Sequence, residues 1–269
     1  MHQSTTQFLP RPGGLASYEV SGHGPLVLCI PGMADLRSAY RFLGPALVMA
    51  GYRVAIIDLR GHGDSASTFD SYDNEANASD VAALIEHLGG PAVIVGNSMG
   101  AAIGALVAAG HPERVAGLAL LGPFLRDGKV GGVLAAVMAV ATSAPLVAAT
   151  WKAYMRNLYK GTKPSDFSAY SREVVAGIKS HRSTVSRTMR TSHASAEAAL
   201  PRVHTPVLVV MGELDPDFTS PRAEAEWIVG RLGGSLTMVP DAGHYPQSQR
   251  PELVTPAIIE FLATATHRA

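Results

Sequence analysis

Six short apolar runs punctuate this chain: Leu26–Ile30, Arg53–Leu59, Ala92–Val95, Val115–Leu121, Val207–Met211 and Ser235–Val239. A strand with one wet face alternates apolar and polar residues, whereas these runs are apolar at almost every position, the mark of strands covered on both faces. Segments of helical character lie between them, at Arg37–Ala50, Ala76–Leu88, Met99–Ala109, Pro221–Leu232 and Pro251–Ala263. Asn77-Ala78-Ser79-Asp80 offers capping side chains ahead of Val81, and Pro221 and Pro251 suit first-turn positions. Strand and helix in alternation predict an α/β architecture, a mainly parallel central sheet with helices on both faces.

The rhythm stops after Leu121 and resumes at Val207. From about Pro123 to Ala199 no buried strand is legible, and Thr142-Ser143-Ala144-Pro145 and Lys160-Gly161-Thr162-Lys163-Pro164-Ser165 separate helical pieces. The chain therefore reads as one core, residues 1–122 and 200–269, interrupted by a helical insertion over 123–199. Its 269 residues, 47% of them hydrophobic, suffice for one sizeable core. Within the insertion, Val130–Thr150 carries no charge between Lys129 and Lys152 and is about long enough to cross a bilayer. It is built on Ala and Gly, holds Thr142, Ser143 and Pro145, and lacks dense Leu, Ile and Phe, so a helix of the insertion is expected and no stable membrane insertion.

Lys plus Arg number 22 and Asp plus Glu number 22, which leaves no basic footprint for phosphate backbones; nucleic acid is not an expected partner. Met1–Pro12 lacks the apolar stretch of a secretory signal, so a cytoplasmic location is expected. The single cysteine, Cys29, lies inside the first apolar run and reads as a small buried thiol.

Chemistry enters at Gly96-Asn97-Ser98-Met99-Gly100, which directly follows the run Ala92–Val95 and opens a small-residue helix. A strand-to-helix turn of this pattern pushes its serine into an exposed, strained position, while the glycines permit close backbone approach. The pattern alone is weak in a chain with 27 glycines; its place at the junction makes Ser98 the candidate nucleophile. A serine hydroxyl needs a base to take its proton. Of ten histidines, His244 follows the last apolar run and precedes the final helix, at the same carboxyl edge of the sheet as Ser98. His87 falls on a helix, His111 precedes Pro112 at a helix end, His181, His193 and His204 lie in or near the insertion, and His2 and His267 at the ends. His62, in Arg60-Gly61-His62-Gly63-Asp64-Ser65, also faces the carboxyl edge, but it precedes the serine, where the order Ser, acid, His places the base last; a structural role is expected.

A carboxylate must fix the tautomer of the base. Gly212-Glu213-Leu214-Asp215-Pro216-Asp217 ends the run Val207–Met211, and Asp215 is the choice, with Asp217 the main competitor and Asp127 a remoter one. Two main-chain N–H donors should hold the oxyanion: Met99, after the nucleophile, and Met33, in the loop Pro31-Gly32-Met33-Ala34-Asp35.

Taken together, Pro31-Gly32-Met33, Asp58-Leu59-Arg60-Gly61-His62-Gly63-Asp64-Ser65, Gly96-Asn97-Ser98-Met99-Gly100, Gly212 with Asp215, and Gly243-His244 resemble the α/β-hydrolase superfamily over essentially the whole chain. The resemblance implies that residues 123–199 are a cap over the active site, that the partner is a small-molecule substrate, and that no cofactor or metal is needed. Two departures stand out. Many members carry His-Gly where this chain has Pro31-Gly32, and the carbon–carbon bond hydrolases, whose elbow is similar, usually place tryptophan where this chain has Tyr245. Hydrolysis of a carboxylic ester of a small or medium apolar substrate is the leading expectation, with Met138 and Met155 either lining its pocket or packing between helices. The same triad serves carbon–carbon, lactone and peracid-forming reactions, and some relatives are slow-turnover ligand receptors.

Overall fold

The computed structural model of the protein describes residues 5–128 and 131–266. His2, His267 and the Lys129–Val130 start of the uncharged stretch lie outside the described residues. Eight strands form one sheet in the order β1-β2-β4-β3-β5-β6-β7-β8: β1 (Gln7–Arg11), β2 (Gly14–Ser21), β3 (Leu26–Ile30), β4 (Arg53–Ile57), β5 (Ala92–Asn97), β6 (Val115–Leu121), β7 (Val207–Gly212) and β8 (Ser235–Val239). The pairs β1–β2 and β2–β4 are antiparallel and every other pair is parallel. The six runs read from sequence become β3 to β8. The first two strands escaped that reading because β1 carries Pro10 and mixed polarity, which an edge strand tolerates and a double-sided burial pattern does not reveal.

Successive strand residues point to opposite faces, so the buried runs feed two cores. In β3, Leu26, Leu28 and Ile30 enter one cluster and Val27 and Cys29 the other; β5 splits Ala92 and Ile94 from Val93 and Val95 in the same way. The first face is covered by α2 (Asn74–Leu88), α3 (Met99–Gly110) and α9 (Pro221–Leu232), through Val81, Leu84, Ile103 and Ile228. The second is covered by α1 (Leu43–Met49) and α11 (Pro251–Thr266), through Leu43, Leu47, Val254, Ile258 and Leu262. Cys29 is fully buried, and burial pushes its thiol far above the ordinary range.

Two helix starts depart from the sequence expectation. The Arg37–Ala50 segment divides into a 3-10 turn, Arg37–Tyr40, and α1, because Pro45 has no N–H to give the Arg41 carbonyl and a continuous ladder cannot cross it. The α2 helix begins at Asn74, two residues ahead of the Ala76 read from the sequence, and it is not capped from Asn77–Asp80. Its cap is Asp73, whose carboxylate accepts the Ala76 N–H at 2.8 Å, and the Asn77–Asp80 side chains serve other partners.

Between β6 and β7 lie α4 (Gly132–Ala141), α5 (Val147–Leu158), α6 (Phe167–Ser180), α7 (Arg182–Thr188) and α8 (Ala194–Ala199). Among the described residues no helix is long and apolar enough to cross a membrane. Met155, Tyr159, Tyr170, Val174, Ile178 and Val185 form a third apolar cluster that closes over Ala34 and Tyr245. Met155 is thus a packing residue, while Met138 is 51% exposed on α4. Arg41 grips Asp166 with two hydrogen bonds, at 2.7 and 2.9 Å, and so ties the core to the start of α6.

Candidate active site

The chain leaves β3 toward β4 on one side and returns to β5 on the other, so the carboxyl ends of β3 and β5 form the crevice at which open α/β sheets bind ligands. Ser98 sits there, between the last residue of β5 and the first of α3, with φ 55° and ψ −120°. A non-glycine residue at positive φ is strained and persists only where its surroundings hold it. They do so here through the Ser98 N–H, which donates to the Leu121 carbonyl at 3.0 Å. The flanking glycines are required by contact: a Cβ on Gly96 would lie 2.3 Å from the Gly100 carbonyl oxygen, and one on Gly100 would lie 2.2 Å from that of Ile30.

His244 lies in the loop between β8 and the short helix α10 (Pro246–Gln249), and its Nδ1 meets Asp215 Oδ2 at 2.8 Å. Asp217 approaches the same nitrogen at 3.5 Å, accepts the hydroxyl of Tyr154 from α5, and gives its own N–H to Asp215 Oδ1 at 3.1 Å. Burial opposes a charge on the imidazole, and the carboxylates of Asp215 and Asp217 outweigh it, carrying the group up to about 9. Burial also raises Asp217, against the pull of His244. Asp127, the remoter candidate acid, is elsewhere: it accepts the His193 N–H at 2.7 Å and the Ser192 hydroxyl.

The insertion is stitched to the loop that carries His244. The His244 N–H donates to the Leu158 carbonyl at 2.8 Å, and Gln249 Nε2 donates to the carbonyls of Lys160 at 2.9 Å and Thr162 at 2.7 Å. On the other side, Asn97 Nδ2 bridges the carbonyls of Leu121 at 2.9 Å and His244 at 3.2 Å, which brings the serine and histidine loops together over the end of β6. No direct hydrogen bond joins Ser98 Oγ to His244 among the described residues. Hydrogen bonds between a nucleophile and its base commonly tighten only once a substrate is bound.

Gly32 lets the loop after β3 pass against the nucleophile: a Cβ there would stand 3.0 Å from Ser98 Cβ and 3.5 Å from Oγ. Neither the Met33 nor the Met99 main-chain N–H meets an acceptor among the described residues. His62 holds this loop from behind. Its Nε2 accepts the Ala34 N–H at 3.0 Å and its Nδ1 donates to the Arg60 carbonyl at 2.9 Å. Burial takes this imidazole down to about 4, so it stays neutral and acts structurally.

Three residues at the site carried no sequence signal. Gly122, at φ 47°, stands where a Cβ would lie 2.9 Å from the His244 carbonyl and 3.3 Å from Asp215 Oδ2. Phe124 gives its N–H to the Ser98 carbonyl at 3.3 Å, and its ring meets those of His244 at 5.9 Å, Phe218 at 5.0 Å and His193 at 5.8 Å. Tyr154 reaches Asp217 from the insertion. The site is enclosed, with Ser98 7% and His244 2% exposed. A separate cavity of about 930 Å³, walled by Glu19, Arg37, Tyr40 and Glu173 among others, includes none of Ser98, Asp215 and His244. Asp215, Asp217 and His244 present metal-ligand atoms within 4.8 Å of one another, but both carboxylates already serve His244 Nδ1, and a cation would compete with that N–H for the same oxygens.

Known proteins resemble this chain to different extents. The bifunctional epoxide hydrolase 2 of Rattus norvegicus is 32% identical over 41% of this chain, which spans about a fifth (21%) of that relative's length. The 2-(acetamidomethylene)succinate hydrolase of Mesorhizobium japonicum is 28% identical over 90% of this chain and 89% of its own. Among solved structures, an esterase from Thermogutta terrifontis superposes with a TM-score of 0.80 at 26% identity, over 98% of this chain and 99% of its own. The family model described as the alpha/beta hydrolase family matches residues 27–257, a span that runs from β3 into α11 and contains Ser98, Asp215 and His244. The sheet order, the reach of that match and the superposition agree, and the chain belongs to the α/β-hydrolase family.

Proposed function

We propose that this protein is a serine hydrolase that cleaves carboxylic esters of small or medium, largely apolar substrates through an acyl-enzyme. The reading is carried by one observation: the Asp215–His244 hydrogen bond of 2.8 Å at the sheet edge where Ser98 stands on its strained turn. In the proposed reaction Ser98 Oγ attacks the ester carbonyl and His244 Nε2 takes its proton, since Nδ1 is committed to Asp215. The free N–H groups of Met33 and Met99 receive the negative oxygen of the tetrahedral intermediate. His244 then passes the proton to the departing alkoxide, and water repeats the cycle on the acyl-enzyme. Residues 123–199 act as the cap that excludes water; the hydrogen bonds from His244 and Gln249 to Leu158, Lys160 and Thr162 support that role. The aromatic wall of Phe124 and Phe218 supports an apolar substrate.

The test is Ser98→Ala. Hydrolysis of p-nitrophenyl butyrate should fall by about 10⁴-fold or more while the circular dichroism spectrum is retained. A fluorophosphonate should add its mass to the wild-type chain and not to the variant. Turnover retained in Ser98→Ala would remove the serine as nucleophile.

A further inference from the structure

A second histidine lies one ring removed from the proposed site, across Phe124. His193, which leads into α8, is 5% exposed, and its ring lies 5.8 Å from that of Phe124, the residue that also contacts His244 and bonds to the Ser98 carbonyl. Asn74, the first residue of α2, fixes its tautomer. Asn74 Nδ2 lies 3.1 Å from the Ser192 carbonyl oxygen and 3.1 Å from His193 Nδ1. Only an amide NH₂ can serve a carbonyl, so this atom is a donor, Nδ1 must accept, and the proton of the neutral ring sits on Nε2. The backbone is held equally firmly, because Asp127 takes the His193 N–H at 2.7 Å.

The ring is also held neutral: burial lowers it, and the charge of Asp127 only partly offsets the effect. No described residue accepts the Nε2–H, although Asn74 and Asp127 both serve to orient it. Although the residue as a whole is buried, Nε2 itself is not fully enclosed, so this donor reaches space that a ligand group can occupy. The protein leaves it unpaired and holds it in the donor tautomer, which makes it available to a ligand.

We propose that His193 Nε2–H is a specificity-determining donor for an uncharged oxygen, a keto, ether or amide carbonyl, carried by the substrate a few bonds from its ester. The inference rests on the proposed ester hydrolysis and narrows its substrate class. A neutral donor set beside the Phe124 and Phe218 rings suits an uncharged acceptor, whereas a carboxylate calls for arginine or imidazolium.

The experiment compares p-nitrophenyl 4-oxopentanoate and 5-oxohexanoate with their plain acyl counterparts of equal length. For at least one pair the wild type should favour the oxo-ester by about 10-fold or more in kcat/KM. His193→Phe should bring that ratio close to one, and His193→Gln, which keeps an amide donor, should restore part of it. A wild-type ratio near one for both pairs, or a ratio unchanged in His193→Phe, overturns the proposal. Calorimetry on Ser98→Ala with methyl 4-oxopentanoate, methyl 5-oxohexanoate and their plain counterparts separates the two readings. If the wild type hydrolyses none of the esters, the ester reading falls, and the calorimetry alone decides the subsite. Tighter binding of a keto probe supports it and equal affinities end it, whether or not His193→Phe folds.

Discussion

The ring nitrogen Nε2 of His62 accepts the main-chain N–H of Ala34 at 3.0 Å, and Ala34 holds a φ of 58° directly after Met33. A left-handed alanine needs such a partner to persist. The bond exists only while the imidazole is neutral, and burial secures this by taking the group from 6.5 down to about 4. The unfolded chain therefore binds more protons between those values, and stability should rise with pH across that window. The contribution is complete above pH 6.5 and lost as pH falls to about 4, a swing on the order of 3 kcal/mol. Thermal melts of wild type and His62→Gln from pH 4 to 7 check it: the wild type should gain more Tm over the range than the variant. At pH 8 the variant should also lose about 10-fold in kcat, because the Met33 donor is no longer held in line.

Asp215 and Asp217 both approach His244 Nδ1, at 2.8 and 3.5 Å, and they differ in what else they do. Asp215 makes the short bond, while Asp217 also accepts the Tyr154 hydroxyl. Asp215→Asn should cost about 10⁴-fold in kcat, since an amide no longer enforces the working tautomer. Asp217→Asn should cost far less, and a larger loss there would exchange their roles.

The same charges set the pH profile. His244 is up to about 9, and only the neutral ring can take the serine proton, so kcat/KM should climb until pH approaches that value. Asp217→Asn removes one of the charges that raise it, and the rising limb should move toward acid. The linked stability has the opposite sense: it is fully present below 6.5 and lost as pH rises through about 9, so activity and stability trade places on the alkaline side. A limb unmoved in Asp217→Asn would mean that Asp215 alone sets the histidine.

Much of the core was legible because double-sided burial leaves uninterrupted apolar runs, as in Leu26–Ile30 and Val207–Met211. The elbow was legible because it needs glycine at Gly96 and Gly100 for reasons of contact. The strands Gln7–Arg11 and Gly14–Ser21 were not, since the antiparallel margin of the sheet is only partly buried and leaves mixed polarity, and neither was the Asp73 cap, three residues ahead of where the periodicity becomes apolar. The roles of Phe124, Tyr154 and His193 were also hidden. Each acts through a partner distant in sequence, as Asn74 does for His193 and Asp217 for Tyr154, and no local pattern encodes such pairs.

Activity should survive exhaustive dialysis against a chelator. The possible ligands Asp215, Asp217 and His244 lie within 4.8 Å of one another, but the imidazole N–H already occupies the carboxylates. Added zinc should inhibit, by competing for those oxygens and for the base. A chelator-induced loss that zinc restores would overturn both the expectation and the proposed mechanism.

Gly122 offers a test of how tightly the Asp215–His244 pair is held. Its φ of 47° disfavours any side chain, and a Cβ there would press the His244 carbonyl at 2.9 Å and both His244 Nδ1 and Asp215 Oδ2 at 3.3 Å. Gly122→Ala therefore adds strain of about 1–2 kcal/mol from the left-handed backbone and moves the acid and base by a few tenths of an ångström. The displacement falls on the base rather than on a substrate-binding side chain, so KM should change little, while kcat should fall by about 10-fold to 100-fold because a small misplacement of the base acts on the transition state. Gly132→Ala is the control: it stands in open space on α4 and should leave kcat unchanged. Equal behaviour of the two variants would mean that the pair tolerates displacement and that its geometry is set by something other than contact with the end of β6.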